Sequence, residues 1–152
     1  MAVQVLVLKE SAAGEKRVAA TPETVKKLVA AGARVGVEAG AGLGAGITDQ
    51  AYTDAGAQLA AADARASAEL VLCVQAPPTA AIAGLRQGAT LVGTLHPQAD
   101  EARGAALQAR AIQSFPLERL PRTTRAQAMD VLSSQAGMAG YKAVLIAAQL
   151  AP

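Results

Sequence analysis

Short runs of apolar residues alternate along this chain with amphipathic stretches, and the alternation repeats from the first residues to about position 114. Ala2 to Leu8 is almost continuously apolar and too short for a helix, which suits a strand covered on both faces of a parallel sheet. After the loop Lys9 to Ala20, Thr21 followed by Pro22 predicts a helix start; Val25, Leu28 and Val29 form its inner face, Lys26 and Lys27 point to water, and Gly32 ends it. Ala33 to Glu38 reads as a second strand. A glycine-rich loop then leads to a short helix capped by Thr48 and closed at Gly56. Ala57 to Leu59 is a weak third strand, Asp63 to Ser67 a short helix, and Glu69 to Val74 a strand that stops at Gln75 ahead of Pro77 and Pro78. Ala89 to Gly93 is a strand, Asp100 to Ala109 a helix, and Ala111 to Ser114 a last strand. Parallel strands need crossover connections, so this rhythm predicts one α/β domain over 1–152. Its mostly parallel, Rossmann-like (flavodoxin-like) sheet carries helices on both faces.

The stretch from Pro121 to Tyr141 departs from that rhythm and carries the densest polar chemistry. Thr124 with Gln127 three residues later reads as a capping box, which predicts a long C-terminal helix starting near Arg125 with Met129, Leu132 and Ala136 on one face. No charged residue occurs from Val131 to Tyr141, and Ala143 to Ala148 is wholly apolar, so most of this helix is expected to be buried against something. Unbroken to Leu150 it would be about 37 Å long at about 1.5 Å per residue, longer than a small domain is wide. Its far end is expected to reach a second body.

Composition narrows the possibilities. At 152 residues, 52% hydrophobic and with a formal charge of +2, the chain suits one domain, and its few aromatics imply thin Ala, Val and Leu core layers. Scattered basic residues and an aromatic content of 2% argue against nucleic acid. Cys73 is the only cysteine and lies in an apolar run, which predicts a buried, inert thiol. His96 is the only histidine, so a histidine-based metal cluster is excluded and no metal is expected. No apolar run approaches a membrane span and no leader pattern opens the chain, so a cytoplasmic location is expected.

Ligands of parallel α/β sheets bind beyond the strand C-termini. Arg17, Gln75, His96 and Arg122 each follow a predicted strand end, directly or in the loop that leaves it. The run Gly40 to Gly46 formally matches a dinucleotide fingerprint, but its helix-capping signal, Thr48 and Asp49, comes too late for helix amides to meet a pyrophosphate. It reads as a flexible turn.

Several motifs resemble one family. Arg122, Arg125, Gln127, Asp130, Ser133 and Ser134, then Ala139-Gly140-Tyr141, are similar to the mobile loop and helix of the NAD-binding domain of proton-translocating nicotinamide nucleotide transhydrogenase, alpha subunit. Arg17 to Pro22, Val37 to Gly42 and Val74 to Pro77 fit the same family and, more loosely, alanine dehydrogenase. The resemblance covers essentially the whole chain but only the N-terminal half-domain of the family's NAD-binding domain; the Rossmann half that chiefly holds NAD, and a C-terminal return segment, have no counterpart here. It implies that Arg122, Gln127, Asp130 and Ser133 bind the nicotinamide end of NAD(H), with Gln127 and Asp130 serving the transfer step and Gln127 facing the NADP(H)-carrying domain. It further implies a membrane-domain partner and a peripheral position on the inner face of the cell membrane. A homodimer is expected from the residues themselves, since Val144, Leu145, Ile146 and Leu150 would otherwise leave apolar surface exposed.

Two other functions remain open. An amino-acid dehydrogenase would use Arg17 and His96 on a keto-acid, but the lysine that the resemblance to alanine dehydrogenase would require is Gln75 here, a neutral amide. A non-catalytic interaction module would use the crevice or the long helix as a docking surface. On residue pattern alone, Gln127 and Asp130 are better explained as helix-capping groups, and it is the family resemblance that reverses this weighting.

Overall fold

The computed structural model describes residues 2–61 and 63–151 and divides into two compact units, Met1–Pro116 and Leu117–Pro152. The first unit carries β1 (Gln4–Val7), α1 (Pro22–Ala30), β2 (Arg34–Val37), α2 (Asp49–Asp54), β3 (Gln58–Leu59), α3 (Ala64–Ser67), β4 (Leu70–Gln75), α4 (Thr79–Ala83), β5 (Thr90–Thr94), α5 (Glu101–Ala109) and β6 (Gln113–Pro116). All strand pairs are parallel and the order is β3-β2-β1-β4-β5-β6. This is the doubly wound Rossmann arrangement, whose strand order reverses between β1 and β4.

Positions along the inner strands divide between two cores. In β1 and the residue after it, Val5 and Val7 face a cluster with Val25, Val35, Val37 and Tyr52, while Leu6 and Leu8 face another with Val71, Cys73, Ile82, Leu85 and Leu91. Period-two alternation with both faces covered is why the inner strand sequences read as unbroken apolar runs. Burying each such side chain stabilises the fold by about 1.5–3 kcal/mol. Helix α1 starts where predicted: the Thr21 side chain accepts from Thr24 N, and Pro22 occupies the first turn. Its Val25 is fully buried, and Leu28 and Val29 pack against the same core. Thr48 caps α2 in the same way. The Tyr52 hydroxyl donates to Ala20 O at 2.8 Å, which fastens α2 to the residue preceding the α1 cap.

The second unit holds a 3-10 turn at Leu117–Arg119, a 3-10 segment at Thr124–Met129 and helix α6 (Val131–Leu150). Several expectations need correction. The long helix starts six residues later than expected, because Thr124 to Met129 takes tighter 3-10 geometry and Asp130, with ψ 96°, breaks it. The N-cap of α6 is Asp130, and no Thr124–Gln127 capping box forms: Thr123 precedes the 3-10 segment without a side-chain cap bond. At 20 residues, α6 is about 30 Å long. Nor does the chain bury it, since every position from Leu132 to Leu150 is exposed. Helix α4, Thr79–Ala83, also stands where the pattern predicts no helix. Among the described residues, no helix is long and apolar enough to cross a membrane.

Candidate functional site

In the second unit, the chain from Leu120 to Ala136 folds around an open cleft of about 420 Å³. Its polar lining comes from Arg122, Thr123, Gln127, Asp130 and Ser133, and its apolar lining from Leu120, Pro121, Ala126, Leu132 and Ala136. All four residues singled out in the sequence, Arg122, Gln127, Asp130 and Ser133, therefore meet in one concavity. The 3-10 geometry brings this about, turning the backbone at Asp130 so that the segment carrying Arg122 and Gln127 doubles back beside the first turn of α6. Ala126 is buried and anchors the segment, leaving Arg122 and Gln127 exposed to the cleft.

Asp130 is the most constrained group there. One carboxylate oxygen, Oδ1, accepts from Leu132 N at 2.9 Å and Ser133 N at 3.3 Å; the other, Oδ2, accepts from Ser133 Oγ at 2.5 Å. The Ser133 hydroxyl and amide, the Leu132 amide and, least, the Arg122 charge hold its carboxyl below the usual range. Asp130 thus stays ionised at neutral pH and caps α6. A carboxylate offers about four lone-pair directions. Three are used within the turn, which leaves one acceptor position on Oδ2.

This donor set fits a planar aromatic ring bearing a primary amide. A guanidinium donates to a carbonyl, a carboxylate accepts from an NH2 group, and the walls from Leu120, Pro121, Leu132 and Ala136 match an apolar ring face.

The other candidates lie in the first unit, where the strand order reverses. Arg17, Gln75 and two carboxylates that no sequence motif singles out, Glu10 and Glu15, converge beyond the ends of β1 and β4. Glu10 accepts from Val74 N at 2.6 Å and Gln75 N at 3.0 Å, where the β4–β5 register slips between Leu72 and Gln75. Glu15 accepts from Arg17 Nε at 2.7 Å, Arg17 Nη2 at 2.6 Å and Gln75 Nε2 at 3.2 Å. The hydrogen bonds from Arg17, first, and from Gln75 push the Glu15 carboxyl down to about 2 despite partial burial. The only sequence trace of this pairing is Glu15 standing two residues before Arg17. His96 lies two residues beyond the end of β5 with a positive φ of 41°.

The glycine run makes a packed turn. Leu43–Ala45 is a single 3-10 turn, α2 begins only at Asp49, and Gly40 N donates to both Asp49 carboxylate oxygens at 2.8 and 3.1 Å. A negative side chain thus holds the first amide that an anion would need. Glu38, at the end of β2 where dinucleotide folds keep an acid for the ribose, is bound by Arg65 Nε at 2.5 Å, Arg65 Nη2 at 3.0 Å and Lys9 N at 2.9 Å. Cys73 is buried, and loss of hydration pushes its thiol up to about 12, which makes it inert. Among the described residues, no three His, Cys, Asp or Glu side chains gather as a metal site.

Comparison with known proteins places this geometry in context. The family model described as Alanine dehydrogenase/PNT, N-terminal domain, matches residues 6–139. Over 150 residues the chain is 45% identical to the first part of NAD(P) transhydrogenase subunit alpha of Rhodospirillum rubrum, covering 94% of this chain and 39% of that protein. Alanine dehydrogenase of Bacillus subtilis is 34% identical over 144 residues, covering 94% and 37%. The crystal structure of transhydrogenase from Sinorhizobium meliloti superposes with a TM-score of 0.91 at 45% identity, over 96% of this chain and 42% of that one. The chain spans about two fifths of the length of these relatives. It belongs to the alanine dehydrogenase/PNT N-terminal domain family and is homologous to the N-terminal part of the transhydrogenase alpha subunit.

Proposed function

We propose that this chain is the first half of the NAD-binding domain of a proton-translocating NAD(P) transhydrogenase, and that it orients the nicotinamide ring of NAD(H). The observation that carries this reading is the cleft in which Arg122, Gln127, Asp130 and Ser133 meet around an apolar wall. In this assignment Arg122 donates to the carboxamide oxygen, Asp130 accepts from its NH2, and Gln127 faces the partner domain that carries NADP(H). The cofactor, when bound, supplies the hydride chemistry. The residues of this chain fix the ring's orientation and exclude water, and no side chain has to move a proton.

Affinity for the rest of the dinucleotide is assigned to the Rossmann half that the family resemblance implies in addition to this half-domain. With Gly40 N and Glu38 both engaged internally, the glycine run and the end of β2 do not present a free phosphate cradle or a free ribose acid. The other partners in this reading are the NADP-binding and membrane domains and a second copy of the subunit, at the cytoplasmic face of the membrane. An amino-acid dehydrogenase reading has less support, because Gln75 is neutral and Arg17 is paired with Glu15.

The test compares Arg122→Ala and Asp130→Asn in the assembled enzyme, measuring single-turnover hydride transfer by stopped flow and NADH affinity separately. Groups that set orientation act on the transition state more than on the bound ground state. Transfer is expected to slow roughly ten- to hundredfold, the size of one lost charge-assisted hydrogen bond, with a smaller change in affinity. Transfer within about twofold of wild type for both variants would overturn the assignment.

A further inference from the structure

We propose that Arg119 and Arg125, with the exposed Met129, form a docking edge for an acidic protein surface, outside the cleft. This deepens the proposed function and rests on it for the partner, which is taken from the remaining subunits of the assembly.

The charge of the chain is unevenly placed. Residues 117–152 carry Arg119, Arg122, Arg125 and Lys142 against Glu118 and Asp130, which accounts for the whole formal charge of +2 and leaves the first unit balanced. That unit also pairs its charges internally, through Arg17–Glu15, Lys27–Glu23, Arg65–Glu38, Arg86–Glu69 and Arg103–Asp100. In the second unit Asp130 is spent on capping α6. Arg119 and Arg125 are exposed, line no part of the cleft and, among the described residues, form no ion pair. Their guanidiniums are available to an outside acceptor, and Met129, four residues after Arg125, is 55% exposed.

The chemistry of this surface selects its partner. An arginine fork matches a carboxylate two bonds at a time. Exposed arginine together with exposed Met129, Met138 and Tyr141, and with Lys142 as the one lysine of the unit, has the composition of a protein interface. A nucleic acid would call for aromatic stacking partners, and an anionic membrane for a basic face along a helix, whereas α6 carries Lys142 alone. The surface that fits is a protein face bearing Asp and Glu.

The experiment follows association of this subunit with the remaining subunits of the enzyme by stopped-flow fluorescence. The double variant Arg119→Gln/Arg125→Gln is expected to associate roughly five- to tenfold more slowly at low ionic strength. The difference is expected to vanish near 1 M salt, where the screening length falls to about 3 Å. Polyglutamate is expected to compete with wild type and to lose that effect on the double variant. Hydride transfer at saturating assembly is expected to stay within about twofold of wild type, and Lys26→Gln, on the exposed side of α1, to associate normally. Wild-type association rates in the double variant overturn the proposal. So does equal slowing in Lys26→Gln, which would report net charge alone, or slow transfer with normal association, which would place the arginines at the cofactor. Binding of wild type to phosphatidylglycerol vesicles without competition by polyglutamate also overturns it, in favour of lipid. Normal transfer in both Arg122→Ala and Asp130→Asn, with slow association of the double variant, would show that the nicotinamide reading has failed while the docking edge stands.

Discussion

Replacing Gly42 by alanine separates the two accounts of the glycine run, packing against phosphate binding. Gly42 has φ −86° and ψ −10°, a conformation alanine adopts freely, so any penalty comes from contact rather than backbone strain. A Cβ there would stand 2.7 Å from Tyr52 Cε2, 2.8 Å from Ile47 O and 2.9 Å from Ile47 Cβ. Neither neighbour yields easily. Tyr52 is fully buried with its hydroxyl tied to Ala20 O, and the Ile47 amide is bonded back to Gly42 O. Overpacking of this kind costs about 1–3 kcal/mol. The narrower unfolded ensemble of alanine returns about 0.4–1 kcal/mol. The net expectation is a loss of about 1–2 kcal/mol, or a fall in Tm of roughly 2–8 °C for a chain of this size. Urea unfolding followed by circular dichroism measures it. Gly46→Ala provides the contrast: φ is +75° and nothing lies within 4 Å, so its cost is conformational, and Gly46→Asn is expected to be milder than Gly46→Ala. Stability of Gly42→Ala within about 0.5 kcal/mol of wild type, together with a clear loss of NADH affinity in the assembled enzyme, would refute the packing account.

Two further expectations follow from the same structure. Since the Glu15 carboxyl is pushed down to about 2 in the fold from an ordinary 4.5, its pairing contributes stability that is complete above about pH 4.5 and is lost as pH falls toward 2. Urea unfolding at pH 6 and pH 3 is expected to show a smaller loss in Glu15→Gln than in wild type, and equal losses would contradict this. The exposed Met138, Tyr141, Val144, Leu145, Ile146 and Leu150 of α6 are expected to drive self-association of this chain alone; light scattering that stays monomeric across a concentration series would contradict it.

Local signals carry most of the fold. Strands covered on both faces must be apolar throughout, so β1 and β4 are plain in the sequence, and Thr21-Pro22 and Thr48 cap their helices as any isolated peptide would suggest. The C-terminal helix shows where locality misleads. Thr124/Gln127 and Asp130/Ser133 have the same spacing, and only the backbone turn at Asp130 decides between them in favour of the second. Helix α4 is an alanine-rich stretch of five residues with no cap bond, too short to leave a period. The cleft residues are legible by resemblance, but the apolar lining from Leu120, Leu132 and Ala136 is not, since those positions also read as ordinary helix and loop residues. Glu10 escapes sequence reasoning because its partners lie 64 and 65 residues away, and Glu15 because its bond to Gln75 spans 60 residues, leaving only its nearness to Arg17 in the sequence.

The central claim, that this chain reads the carboxamide of the nicotinamide ring, is tested most directly by changing the carboxamide. A dinucleotide bearing 3-acetylpyridine keeps the carbonyl that Arg122 would hold but lacks the NH2 assigned to Asp130. Single-turnover transfer from the reduced forms of both cofactors, in wild type and Asp130→Asn, completes a thermodynamic cycle between one side chain and one ligand group. The account predicts that Asp130→Asn slows transfer roughly ten- to hundredfold with the natural cofactor and has little effect with the acetyl analogue. Equal slowing with both cofactors would contradict it and leave Asp130 as a helix cap alone.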